Sequence, residues 1–190
     1  SDSDKYTNDE VLNEEGIRYS KNLTDLVLDR VGMHRQGKKV DTESLVIWTG
    51  PRKRTYITGK FFIEKGFDVQ ERSQLKQLQP GSIADMTIEE IKEKYPNEHA
   101  EFLKDPYHYR YPRAESYHDL AVRMESLLLE LEHMNTNVLI IAHESTLRVL
   151  YGYLLAYTVL DVPKLEFSRE FLTEITFGPF CNTVEKIPIN

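Results

Sequence analysis

Apolar residues fall along this chain in two patterns. Short uncharged blocks, Leu45-Val46-Ile47-Trp48 and Val138-Leu139-Ile140-Ile141-Ala142, predict strands buried on both faces, as in parallel sheets. Longer stretches carry helical spacing. Leu23, Leu26, Val27 and Val31 line one face of a helix that Asn13 caps, with Glu14 and Glu15 in its first turn. Gly32 and the Gly37-Lys38-Lys39 run close that helix. A second helix runs through Phe61, Phe62 and Ile63 to Gly66, and Phe67-Asp68-Val69 reads as a short strand. Residues 71–86 show no period and contain Pro80-Gly81, so they form a long loop. Thr87 caps a helix over residues 88–95, and Pro96 ends it and opens another over residues 97–103. Ser116 caps an amphipathic helix with Leu120, Met124, Leu127, Leu128 and Leu131 on its core face. Leu147, Val149, Leu150, Leu154 and Leu155 make the next helix apolar around much of its circumference, which predicts burial. Residues 171–177 and 183–187 alternate around Gly178-Pro179 and read as an antiparallel closing pair. This order of strands and helices, without an internal repeat, predicts one α/β domain over residues 1–190, a three-layer αβα sandwich with a mostly parallel sheet.

The candidate chemistry sits where strands end. His143 stands at the tip of the second apolar block, and Glu144-Ser145-Thr146 opens a helix behind it. Ligands of open α/β sheets bind beyond the strand C-termini, and a helix N-terminus there favours anions. The competing reading is a capped junction whose histidine faces solvent. Arg148, one turn further on, is placed to face the same mouth. Arg52-Lys53-Arg54 come after the first block, where cations oppose the helix dipole unless an anion joins them. Histidine with arginine, and no second histidine at ligand spacing, suits phosphate binding rather than a metal site. His108 and His118 read as surface residues. Residues 107–113, rich in tyrosine and arginine, read as a surface lid or a base-stacking patch.

Bulk properties narrow the partners. The chain holds 24 lysines and arginines against 31 aspartates and glutamates, a net charge of −7, which argues against nucleic acid. A single cysteine, Cys181, fits a reducing compartment. No apolar run reaches the length of a membrane span, and no signal-peptide pattern opens the chain, so the expectation is a cytoplasmic protein with neither membrane nor cofactor. The first residue is Ser1, not Met, as expected of a processed chain or of a piece of a longer polypeptide.

Four segments carry a family resemblance: Trp48-Thr49 through Lys53-Arg54-Thr55, Met86-Thr87-Ile88-Glu89-Glu90-Ile91, Tyr109-Arg110-Tyr111-Pro112-Arg113-Ala114-Glu115-Ser116-Tyr117, and His143-Glu144-Ser145-Thr146-Leu147-Arg148. In order and spacing they resemble the histidine phosphatase (phosphoglycerate mutase-like) superfamily. The bisphosphatase half of 6-phosphofructo-2-kinase/fructose-2,6-bisphosphatase is the nearer branch, because residues 109–117 suit it better than a plain mutase. The resemblance implies a phosphoglycerate mutase-like fold and a phosphate or sugar-phosphate ligand. It also implies a kinase domain in the same parent chain and allows a homodimer. It assigns Arg54 to the phosphate clamp and His143 to the transferred phosphoryl group. Tyr117, Arg148 and the position of Glu144 fall to the sugar bisphosphate.

The departures from that pattern decide the expected function. The family nucleophile is a histidine in an Arg-His-Gly motif at the end of its first strand, and none of the six histidines here has that setting. The segment over residues 8–16 resembles the family's stretch just beyond that motif. The general-acid glutamate falls on Gln77, whose amide cannot protonate a leaving alkoxide, a loss of about 10²–10⁴-fold. Two family cations fall on Phe102 and Pro106, and a family glutamine is Glu144, whose charge opposes phosphate. These point to a degenerate domain with a structural or regulatory role. The alternative is an active phosphatase whose phosphohistidine comes from a segment upstream of Ser1. A missing first strand would leave two unpaired sheet edges and an open core, so the strand is expected from some other source, or the ordered chain is not the whole polypeptide.

Overall fold

The computed structural model describes residues 14–34, 41–51 and 58–190. Asn13 and the cations at 52–54, Arg54 included, lie outside the described residues. Eleven helices and strands of four residues or more are described. They are α1 (Glu14–His34), β1 (Leu45–Thr49), α2 (Lys60–Glu64), β2 (Asp68–Glu71), α3 (Ile88–Lys94), α4 (Pro96–Lys104), α5 (Tyr117–Glu132), β3 (Asn137–Ile141), α6 (Glu144–Leu154), β4 (Phe171–Thr176) and β5 (Thr183–Pro188).

β1 is the axis of the fold. It pairs in parallel with β2 on one side and with β3 on the other, so that Ile47 stands opposite both Val69 and Leu139. Its side chains alternate between two cores. Leu45 and Ile47 join Leu23, Val27 and Val31 of α1, Phe62 of α2, and Leu139. Val46 and Trp48 join Leu75, the apolar face of α5, and Val149 and Leu150 of α6. Helices therefore cover both faces of a parallel sheet, the α/β sandwich expected from the sequence. An uninterrupted apolar run suits β1 because no face of it meets water.

Local signals set the element ends. The Thr87 hydroxyl accepts from the Glu90 N–H and starts α3. Ser116 and Asp119 form a reciprocal capping box at the start of α5. Pro96 occupies the first turn of α4, where its missing N–H has no cost. Gly66, at φ +86°, ends the turn after α2. α1 runs on through Gly32 to His34, so that glycine does not end it, and the Gly37-Lys38-Lys39 run lies outside the described residues.

The loop over residues 71–86 contains two short 3-10 turns, Ser73–Leu75 and Gly81–Ile83. It is fixed against the tyrosine-rich segment: Ser82 N–H donates to the Pro112 carbonyl at 2.9 Å, and Glu115 N–H to that of Gln79 at 2.9 Å. That segment is not a lid over open space. Tyr111 is buried, and its ring packs with Phe102 and Tyr109 at centroid distances of 5.4 and 5.2 Å. His108 and His118 are exposed, with rings 5.3 Å apart.

β4 and β5 pair antiparallel as a separate two-stranded sheet. α1 holds it from one side. Arg30 Nε lies 2.8 Å from Glu174 and Arg30 Nη2 3.0 Å from Glu185, and Ile189 enters the α1 core. Between β3 and β4 runs a groove of about 940 Å³, walled by Leu23 and Val27 of α1 and by Leu147 and Leu150 of α6. Among the described residues β3 pairs only with β1, and β4 only with β5. The groove also explains a difference from the sequence reading of α6. Leu147 and Leu154, expected in the core, are half-buried because they line it.

Gly81 has φ +62°, and a Cβ there would come within 2.4 Å of the Pro112 carbonyl and 2.5 Å of the Ala114 nitrogen. Gly66 shares the positive φ, but a Cβ there would meet nothing nearer than 3.5 Å. Gly81→Ala is expected to lower unfolding stability by about 2–4 kcal/mol in denaturant titration, the cost of left-handed strain plus a backbone clash. Gly66→Ala carries the strain alone and should cost about 1–2 kcal/mol. Equal losses would show that the contact between the two loops is looser than described.

Candidate functional site

His143 comes directly after β3 and is the N-cap of α6, with extended backbone at φ −66° and ψ 150°. Its Nδ1 accepts the Ser145 backbone N–H at 3.1 Å and lies 2.9 Å from the Ser145 hydroxyl. A nitrogen that accepts a backbone N–H cannot carry a proton, so the neutral ring bears its hydrogen on Nε2. His143 is thus set as an Nε2–H donor at a helix N-terminus, a polarity that suits an anionic oxygen.

The same two turns of α6 hold the 74–78 loop. Ser145 Oγ accepts the Leu78 N–H at 3.1 Å, and Thr146 Oγ1 lies 3.4 Å from the carbonyls of Leu75 and Lys76. From α5, Arg123 Nη1 donates to the carbonyls of Gln74 and Lys76, both at 2.9 Å. Its Nη2 reaches Glu115 at 2.9 Å and the Gln77 carbonyl at 3.4 Å. This clamp places Gln77 beside His143, and both line one end of the groove with Thr58, Asp85 and Glu144. The side-chain oxygen of Gln77 is buried there without a hydrogen-bond partner among the described residues.

Arg148 and Tyr117 come together, although not on that mouth. Arg148 Nη1 donates to the Tyr117 hydroxyl at 2.8 Å, and its Nε to the Leu165 carbonyl at 2.6 Å. Its Nη2 pairs with Glu144 at 3.2 Å, and Glu144 also accepts the Phe167 N–H at 3.3 Å. Glu144 therefore links the mouth to Arg148, and its carboxylate neutralises the arginine. Neither Tyr117 nor Arg148 lines the groove itself. Burial, with the neighbouring Tyr157, pushes the Tyr151 phenol on the groove wall above its ordinary value and keeps it neutral. Among the described residues, no group of three or more His, Cys, Asp or Glu side chains is arranged to hold a metal ion, and no helix is long and apolar enough to cross a membrane.

Two participants escaped the sequence reading. Arg123 lies in the amphipathic α5, where an arginine between core positions passes for a solvated residue. Its three backbone acceptors come from a loop about 46 to 49 residues earlier. Asp85 adopts φ +61°, uncommon for a non-glycine residue, and nothing in its neighbours announced that.

Comparison with known proteins places the chain. The family model for the histidine phosphatase superfamily (branch 1) matches residues 6–189. A Saccharomyces cerevisiae protein, whose name provisionally assigns it as a 6-phosphofructo-2-kinase/fructose-2,6-bisphosphatase, is 58% identical over 204 aligned positions. These cover all of this chain and 40% of the relative. The fructose-2,6-bisphosphatase of the same yeast is 32% identical across 98% of this chain and 38% of its own length. The chain thus spans about two fifths of the length of these relatives. Among solved structures, the mycobacterial glucosyl-3-phosphoglycerate phosphatase complexed with inorganic phosphate superposes with a TM-score of 0.71. It is 20% identical, over 92% of this chain and 85% of that one, a likeness of fold alone. The protein belongs to the histidine phosphatase superfamily and is closely related to the bisphosphatase domain of 6-phosphofructo-2-kinase/fructose-2,6-bisphosphatase.

Proposed function

We propose that this chain is a degenerate bisphosphatase domain that holds a phosphate group at the His143 mouth and turns it over poorly or not at all. In this reading it belongs to a larger polypeptide whose other part is a 6-phosphofructo-2-kinase, and it acts there as a structural or regulatory unit. The single observation that carries the reading is Gln77. Its backbone is clamped from α5 and α6 at the groove mouth, its side-chain oxygen is buried there, and its side chain is an amide. An amide has no proton to give a leaving alkoxide at useful rates. His143 as an Nε2–H donor and the dipole of α6 supply binding without that step. Arg54 is assigned to the same phosphate through the family resemblance.

A second reading, an active phosphatase, is favoured by the open β3 edge. A strand laid along it would end beside His143 and could bring a nucleophile there. Hydrolysis of fructose-2,6-bisphosphate by the full-length polypeptide separates the two. The wild type is expected near background, and Gln77→Glu is expected to raise the rate at least tenfold wherever a nucleophile is supplied. Wild-type turnover matching an intact bisphosphatase would overturn the degenerate reading.

Glu144 provides an independent prediction. Removing its charge frees Arg148 from neutralisation and takes a carboxylate from the mouth. Glu144→Gln should bind inorganic phosphate about tenfold more tightly in titration calorimetry, the size of one screened charge contact near a protein surface. An unchanged affinity would place the phosphate elsewhere.

A further inference from the structure

One hydroxyl stands between His143 and the loop that carries Gln77. Ser145 is buried, at 5% exposure, in the first turn of α6. Among the described residues its Oγ has two polar neighbours, the Leu78 N–H at 3.1 Å and the His143 Nδ1 at 2.9 Å. The direction of each bond follows from what each partner can do. A backbone N–H only donates, so Oγ accepts from Leu78. Nδ1 already accepts the Ser145 N–H at 3.1 Å, and a hydrogen on that nitrogen would be driven against it. The ring therefore has no proton to give on this side, and the hydroxyl donates its own to Nδ1. A buried donor left unused is costly, and Nδ1 is the acceptor in reach.

We propose that Ser145 is a positioning residue of the His143 mouth: its hydroxyl joins the Gln77 loop to the His143 ring, so that the place of one and the donor strength of the other change together. This rests on reading the mouth as a phosphate site. The bonds run in one sense, from the Leu78 N–H through the Ser145 hydroxyl to Nδ1, and out through Nε2–H to an anionic oxygen. Each bond in such a chain polarises the next, and donation into Nδ1 draws electron density from the ring. His143 becomes a stronger Nε2–H donor while it stays neutral. The other contacts of the loop are of a different kind. Arg123 and Thr146 hold its carbonyls, from Gln74 to Gln77. Of the three residues, Ser145 is the one that binds both the loop and the ring. With its surface covered and its proton committed to Nδ1, it acts on a ligand through His143 and not by attack.

The test uses the full-length polypeptide with isotope-labelled histidine rings, read by NMR, and hydrogen exchange at Leu78, read by mass spectrometry. Two changes cut the chain of bonds at different points. Ser145→Ala removes the hydroxyl, and an α-hydroxy acid in place of Leu78 removes the N–H and leaves Ser145 intact. Arg123 and Thr146 still hold the loop in both, so both are expected to fold. Without phosphate, Ser145→Ala should move the His143 Nδ1 resonance downfield, as a nitrogen losing a donor does, and speed Leu78 exchange about tenfold. The Leu78 ester should move the same Nδ1 resonance the same way, although the bond it removes is one step from the ring. Each change should weaken inorganic phosphate about threefold in titration calorimetry, and the two together should weaken it no further than one alone. Losses that multiply would make the two contacts independent and overturn the proposal. So would an Nδ1 resonance indifferent to the Leu78 ester, or a phosphate affinity unchanged by Ser145→Ala. A wild type that binds no phosphate, with Nδ1 responding to both changes, would overturn the phosphate reading and support the coupling, so the two fail separately.

Discussion

Backbone pairing at the edge of β3 is the constraint on which the molecule turns. A parallel sheet covered on both faces has no water on either side, so its polar backbone groups depend on neighbouring strands. β1 meets that requirement on both edges and is the most deeply buried element. Among the described residues, β3 meets it on one edge only. The β4–β5 pair stands across the groove, tied to α1 through Arg30, Glu174 and Glu185, and among the described residues it pairs with no further strand. The two cores lie on either side of the same line. One passes along α1, the other along α5 and α6, and the groove walls belong to both.

The candidate site inherits this arrangement, because it stands at one end of the groove. His143 takes its position from β3, and its tautomer from the first turn of α6. Gln77 is carried there by a loop that Arg123, Ser145 and Thr146 hold through its carbonyls and one N–H. Arg148 is drawn away from the mouth by Leu165, Tyr117 and Glu144. The result keeps donors for an anion and brings the amide of Gln77 to the same mouth.

The parts legible in the sequence were those with local causes. β1 and β3 were visible as uncharged runs, α3 and α5 through Thr87 and Ser116, and the closing hairpin through alternation around Gly178-Pro179. His143 at a strand tip could be placed without any structure. The parts that could not be read depend on distant partners. The Arg123 clamp bridges segments far apart in sequence, and no neighbouring residue announces the positive φ of Asp85. The half-burial of Leu147 and Leu154 reflects an edge that no local pattern encodes. The tyrosine-rich segment misled for the same reason. Its rings pack on Phe102 of α4, and a sequence window around Tyr111 holds no trace of that partner.

The central claim is that this domain holds a phosphate ester without forming a covalent intermediate. The most direct measurement is rapid acid-free quenching of the 190-residue chain after mixing with fructose-2,6-bisphosphate labelled in its 2-phosphate, and then mass analysis of the protein. The account predicts saturable, reversible retention of the intact ester and no mass gain of a phosphoryl group on any histidine. A stoichiometric phosphohistidine, at His143 or elsewhere in the chain, would contradict it.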